Sequence, residues 1–384
     1  MIDTLSAFAK YLPEIKRPTK PVPVKERLFW TGVAVFLFFL MYNTSVIGVK
    51  ESTGQFGFLQ VITASRIGSF LTVGIGPIVF ASILLQLLKA GGFFELNLQD
   101  PKQRVKFHEA QKVLTIVLAV VEASVFVFGG HVPLLSTDGL IVGLVIGQIA
   151  LGAVLLFYVD EIVSKYGIGS GVSLFIGAGV SFSILSGLVW ILVGDQGVVA
   201  KLVEGGATAI PSALLALAPF IFTVLIFLGV SYAEGMKVEI PLTHEYGRGV
   251  VRQQGFKFFY VSNIPVIFAV ALLLNIQLFG GVVGKVLKDS PLSWLAVSDD
   301  RGVLRDGLLY LITPLPHTIV VDAHISYLMS TTPVFHIPQL VHALFYLIFL
   351  TLSSLFFGKF WAETQGMDAE SVASQLSEFG LQVP

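Results

Sequence analysis

The sequence predicts an all-α, polytopic helical membrane protein, and three observations carry that prediction. Hydrophobic residues make up 54% of the 384-residue chain and charged residues only 13%, about half the roughly 25% charge of ordinary globular proteins. A soluble core of this size cannot hide so much apolar surface. Eight apolar runs have, or approach, the 20 or so residues that cross about 30 Å of hydrocarbon. Finally, Lys and Arg fall unevenly on the two sides that these runs define. With the N-terminus inside, seventeen lie on the inner side and seven on the outer, as the positive-inside rule requires.

The first 27 residues are polar and basic, without the short apolar core of a cleavable signal. The runs then follow in order: Leu28–Val49, Ile67–Leu88, Val113–Gly130, Gly139–Tyr158, Val172–Val193, Ala213–Val230, Val261–Phe279 and Leu340–Phe357. Gln55–Ser65 is apolar but too short to span and is followed at once by Arg66, so it is expected to be re-entrant. Gly307–Met329 is long enough, yet Pro314, Pro316, His317, Asp322 and His324 interrupt it, which assigns it to a large outer loop. The second run opens with Gly68, Gly74, Gly76 and Pro77, residues that weaken a helix early and suit a moving part better than a passive anchor.

Catalytic and metal motifs fail on inspection. His108-Glu109 and His244-Glu245 open HExxH patterns, but Lys112 and Arg248 stand where the second histidine belongs. Tyr166–Gly171 is glycine-rich without the strand before it or the lysine after it that a phosphate loop needs. A flexible turn with Ser170 capping the fifth span accounts for it. His317, Asp322, His324, His336 and His342 are scattered, without metal-ligand spacing, and are expected to be loop and interface residues. The absence of cysteine removes disulfides, thiolate metal sites and thiol nucleophiles together. No cofactor is expected.

Glu122 is the one acidic or basic side chain inside a run, about midway along the third. Burying a charge there costs several kcal/mol, so it marks either a functional site or an interhelical hydrogen bond. Its candidate partners are Gln86 and Asn275. The segment Ala233–Tyr260 interleaves Lys237, Arg248, Arg252 and Lys257 with Tyr246, Phe256, Phe258 and Phe259. That mixture suits RNA phosphate, anionic lipid headgroups or topology alone.

Several segments together resemble one family. They are Lys10–Pro18, Ile62–Gly68 with Gly74–Val79, Tyr166–Gly171, Tyr260–Ile267 with Asn275-Ile-Gln277, and Phe360–Thr364. Taken in order they are similar to the SecY-type α subunit of the protein-conducting channel, in its archaeal and eukaryotic form. The resemblance implies an inverted-repeat bundle of two five-span halves, of which the last two spans are absent from this sequence. The first half would cover residues 28–193, with a plug at 55–65. An external linker would follow at 194–210, then an incomplete second half at 211–357. Residues 1–27 and 358–384 would be cytoplasmic.

The resemblance also implies roles. Gln55, Phe56, Phe58, Leu59, Val61 and Ile62 would belong to the plug. Ile75, Val79, Val172, Ile176 and Ile267 would form an apolar pore ring, and both i, i+4 pairs in it share a helix face. Such a collar resists wetting and ion leakage yet yields to a passing chain. Gln86, Glu122 and Asn275 would line a lateral gate between the second and third spans and the seventh and eighth, held shut by hydrogen bonds among them. Arg248, Arg252 and Lys257 would dock the ribosome. Implied partners are a single-span SecE/γ subunit, a small β subunit, the ribosome, signal sequences with nascent chains, and lipid. The implied location is the cell membrane, with the N-terminus cytoplasmic. The alternative function is a secondary transporter of a small solute using Glu122.

Overall fold

The computed structural model describes residues 2–50, 64–94, 101–194, 197–206, 209–244, 250–257, 261, 264–299, 302–315, 326–364, 367–378 and 381–382. Eight long helices coincide with the eight apolar runs: α2 (Val24–Asn43), α3 (Gly76–Ala90), α4 (Pro101–Phe128), α5 (Gly139–Tyr166), α6 (Gly171–Val193), α8 (Ala209–Gly235), α9 (Ile264–Val286) and α10 (Gln339–Thr364). Shorter helices are α1 (Ile2–Ala9), α7 (Val198–Glu204) and α11 (Ala369–Glu378). Among the described residues, six helices are long and apolar enough to cross a membrane. The exceptions are α3, with 15 residues, and α2, whose first turn is filled by Lys25, Glu26 and Arg27.

The second expected span needs correction. Its helix starts at Gly76, not Ile67, and residues 64–75 form turns. Gly68 (φ +87°) and Gly74 (φ +59°) take left-handed backbone that breaks a helix, and Pro77 fits the first turn of a new one. The first span likewise stops at Asn43, short of Val49. Thr44 turns to extended backbone (φ −81°, ψ 114°), and the Asn43 amide and Thr44 hydroxyl donate to the Phe39 and Leu40 carbonyls of the last turn at 2.9 and 2.7 Å. Other helix ends instead outrun their apolar runs. α4 begins at Pro101 because the polar residues Lys102–Lys112 form helix readily, although they cannot lie in hydrocarbon.

The backbone separates into two compact units. The first comprises Met1–Leu185, Phe268–Thr318 and Asp322–Leu350. In it α4 packs on α1, α3 and α5, and α2 packs on α5. Its core joins Val73, Ala123, Phe126, Ile149, Val270 and Leu274, so α4, α5 and α9 share one apolar centre. Gly152 of α5 permits the closest approach: a β-carbon there would stand 1.9 Å from the Phe70 carbonyl oxygen.

Buried polar groups hold residues 302–315 against residues 326–342. Asp306, fully buried, accepts the Val334 and Phe335 N–H groups at 2.8 and 2.7 Å. His342 shares Tyr327 Oη at 2.8 Å and the Thr313 carbonyl at 2.9 Å, fixing the start of α10. Of the five residues that tempted a metal reading, His342 is thus satisfied by protein groups. His317, Asp322 and His324 lie outside the described residues.

The second unit comprises Ser186–Ile267, Ile319–Val321 and Thr351–Pro384. It contains α7, α8, α11 and a three-stranded sheet in the order β2 (Val250–Lys257), β1 (Lys237–His244), β3 (Leu381–Gln382). The basic segment is therefore a β-hairpin, with Lys237 opposite Lys257 and Leu242 opposite Arg252. Val238, Ile240 and Leu242 alternate with Glu239, Pro241 and Thr243, a period of two that announced a strand in an otherwise helical protein.

Candidate functional site: a polar seam and the expected ring residues

The beginning of α3 positions two of the proposed ring residues. Ile75 is the residue before the helix and Val79 lies one turn on, and both are almost fully buried. Val172 and Ile176, in the first turns of α6, are half-buried, as is Ile267 of α9 in the second unit. Between Val172 and Ile176 in the sequence, Phe175 is fully buried and stacks on Phe38 of α2, with centroids 5.4 Å apart and planes 12° from parallel.

The start of α6 is held by Asp160 of α5, whose Oδ1 accepts the Val172 N–H at 2.8 Å. The side-chain cap therefore comes from a neighbouring helix, not from Ser170 as the sequence suggested. A β-carbon at Gly171 would meet the Asp160 Cα at 2.5 Å, so only glycine admits this approach. The turn between α5 and α6 is anchored further by the Ile168 N–H, which donates to Thr31 Oγ1 of α2 at 3.1 Å.

Glu122 of α4 is 1% exposed and presses its carboxyl against the first residue of α3. Asn275 faces it from α9. The Asn275 amide, however, donates to the Ala271 carbonyl of its own helix at 3.0 Å. Neither Glu122 oxygen has a well-formed hydrogen bond among the described residues, and Asn275 Oδ1 and Gln277 Oε1 are buried in the same state. Gln86 sits ten residues along α3 from Gly76, roughly 15 Å by helical rise, and donates to Ser82 of its own helix at 3.1 Å. Within this set Asn275 is the hydrogen-bonding neighbour of Glu122, sharing its amide with the Ala271 carbonyl, while Gln86 bonds within its own helix. Gln277 is a member of this set that the sequence reading missed. Two residues from Asn275, it lies on the other side of α9, and no spacing in the sequence marks it.

Buried polar atoms without partners cost about 1–3 kcal/mol each. Such a seam is held by packing and retains polar groups that a competing segment or water can satisfy. The remaining expected site residues divide. Lys257 is exposed at the end of β2, and Arg252 lies within that strand. Arg248, together with Gln55, Phe56, Phe58, Leu59, Val61 and Ile62, lies outside the described residues.

Residues 69–384 match the family model described as SecY. A protein translocase subunit SecY from Methanocaldococcus jannaschii is 40% identical over 377 residues, covering 97% of this chain and 79% of that protein. Its counterpart from Pyrococcus horikoshii is 37% identical over 414 residues, covering 100% and 82%. Among solved structures, one described as a protein conducting channel superposes with a TM-score of 0.77 at 38% identity, covering 98% of this chain and 81% of its own. Sec61 from the canine ribosome-channel complex of the endoplasmic reticulum gives 0.74 at 39% identity, covering 96% and 79%.

Proposed function

The chain belongs to the SecY family, and from that premise we propose how its helices pass and sort polypeptides. It is the pore-forming subunit of a protein translocation channel, a multi-pass membrane protein and not an enzyme. The observation that carries this is the agreement, in sequence and in backbone, along nearly the whole chain.

In the proposed mechanism Ile75, Val79, Val172, Ile176 and Ile267 form a collar that closes around nothing at rest and around a polypeptide in transit. Branched apolar side chains disfavour a continuous water column, and their rotamers yield to a chain that a partner drives through. Gln55–Ser65 supplies the plug on the outer side. The α3–α4 pair parts from α9 and α10 to open a path into lipid. The sparse bonding of Glu122 supports that reading: Asn275 is its side-chain hydrogen-bond neighbour across the seam, and that amide also donates to Ala271 of its own helix.

The β1–β2 hairpin, with Arg248, Arg252 and Lys257, is the proposed ribosome-docking surface, supported by the canine relative's presence in a ribosome-channel complex. A single-span SecE/γ subunit and a small β subunit complete the proposed assembly. It is placed in the cell membrane with the N-terminus cytoplasmic, in keeping with the seventeen-to-seven charge asymmetry. No observation favours a small-solute transporter.

A photoreactive probe at Ile75 or Ile176 tests the collar. A stalled secretory chain in the complete, active complex is expected to form adducts at both positions. Adducts confined to lipid-facing positions such as Phe222 would overturn the pore assignment.

A further inference from the structure

The outer end of α4 is tied to the outer end of α9 by a contact outside the polar seam. α4 ends at Phe128, which leaves the Gly129 carbonyl beyond the last turn. Lys285, in the last turn of α9, donates its Nζ to that carbonyl at 2.7 Å. A cation at a helix C-terminus also meets the negative end of the helix dipole.

Around this bond three glycines interlock. A β-carbon at Gly302 would stand 2.1 Å from the Gly129 oxygen, and one at Gly281 would stand 2.0 Å from the Gly302 oxygen. Gly302 holds φ +73°, a conformation L residues resist. The turn carrying it is stiffened by Asp299, which accepts the Val303 N–H at 2.9 Å and pairs with Arg305 at 3.0 Å. His131 fills the remaining side, its ring against the backbone of Gly129 and Gly302 and edge-on to Phe126. Two helices and a rigid turn are thus clasped at one point.

We propose that Lys285 is a specificity-determining residue of the channel: its clasp on Gly129 sets how apolar a segment must be to open the lateral gate. This rests on the gate reading given above, in which α4 and α9 lie on opposite sides of the opening. If they part, the Lys285–Gly129 bond and the glycine contacts break with them. An arriving segment gains free energy in proportion to its apolar side chains, and it must exceed what the clasp holds. Weakening the clasp lowers that threshold, while strongly apolar segments, which already exceed it, pass as before.

The test uses the complete complex in proteoliposomes and precursors whose signals differ only in Leu-to-Ser content. Lys285→Met, which keeps the chain length and loses the donor, is expected to raise translocation of the weakest signal about tenfold, equivalent to about 1.4 kcal/mol. The strongest signal should change little, and Lys285→Arg should behave as the parent. A second readout needs no substrate: spin labels at Phe128→Cys and Val286→Cys, both exposed in the parent, should move apart in Lys285→Met. If Asn275→Leu shifts the threshold and Lys285→Met does not, the clasp is wrong and the gate stands. If neither shifts it, the gate reading fails and the clasp falls with it.

Discussion

A β-carbon at Gly76 would lie 2.8 Å from the Oε2 of Glu122, so the carboxyl of α4 occupies the space where any other residue at the start of α3 would carry its side chain. Both oxygens are buried without a well-formed hydrogen bond among the described residues. Replacing a buried, unsatisfied acid by an apolar side chain of similar volume removes its desolvation cost. Glu122→Met is therefore expected to raise the thermal midpoint of the purified complex, by an amount equivalent to about 1–3 kcal/mol. Gly76→Ala should cost roughly 1 kcal/mol in the parent, because a flexible carboxyl must move aside. In Glu122→Met a different side-chain tip faces the new methyl, so the two changes should couple, and a double-mutant cycle reads that coupling. Strict additivity would mean that the two residues do not meet.

Asp160 caps a helix it does not belong to. Removing a capping oxygen costs about 0.5–2 kcal/mol, and here the freed N–H is that of Val172, with Ile176 one turn along α6. Asp160→Ala should destabilise the fold by an amount in that range and increase protease cleavage in the Tyr166–Gly171 turn. Asp160→Asn retains an acceptor and should recover most of the loss. Equal loss in both variants would count against capping as the cause.

Much of this was legible in the sequence because hydrocarbon imposes a simple test, and the eight helices sit where the eight apolar runs are. What hydropathy cannot see is where a helix begins or ends. The step from Ile67 to Gly76 was decided by left-handed Gly68 and Gly74, residues already noted as weak points but not as a boundary. The hairpin was legible in principle, since Val238, Ile240 and Leu242 alternate, but the alternation lay within a segment scanned for charge. The clasp was not legible. Gly129 and Lys285 are 156 residues apart, and neither belongs to a motif. Asn275 and Gln86 were singled out as candidate partners of Glu122, whereas their donation to Ala271 and Ser82 of their own helices depends on rotamers that composition does not specify.

The N-terminal strap gives a third prediction. Lys112 of α4, 8% exposed, donates to the Pro13 carbonyl at 2.5 Å and pairs with Glu161 of α5 at 3.4 Å. Lys165 binds the Ile15 carbonyl, and Tyr166 Oη donates to the Lys16 carbonyl at 2.8 Å. Three donors from two helices therefore hold residues 13–16 of irregular chain. Lys112→Met removes the most buried of them and leaves Glu161 paired with Lys165 at 2.7 Å, so the carboxylate is not stranded. The expected result is a several-fold faster tryptic cut between Lys10 and Lys20 with little loss of global stability. A large drop in melting temperature without faster cutting would place Lys112 in the core of the fold, not in the strap.

His131 makes the clasp sensitive to acid. It lies beyond α4, outside the membrane-spanning segments. Burial first, and the Lys285 charge second, push its imidazole down to about 4, while the Leu278 backbone and Asp299 pull the other way. The folded protein thus holds His131 neutral at pH values where the unfolded chain, with an ordinary value near 6.5, already binds the proton. Stability falls wherever the unfolded state binds more protons, so this histidine is neutral in its effect above about pH 6.5 and destabilising from there down to about pH 4. Below that the native state binds the proton as well and the effect levels off. The full window amounts to roughly 3 kcal/mol at most, at about 1.4 kcal/mol per unit. Ordinary carboxylates also titrate near the lower limit, so the informative quantity is a difference between proteins. The thermal midpoint of the parent should fall more steeply between pH 6.5 and 4.5 than that of His131→Gln. The distance between labels at residues 128 and 286 should grow over the same interval in the parent alone. Parallel pH profiles would mean that the imidazole is not buried against Gly129 and Gly302 as the clasp requires.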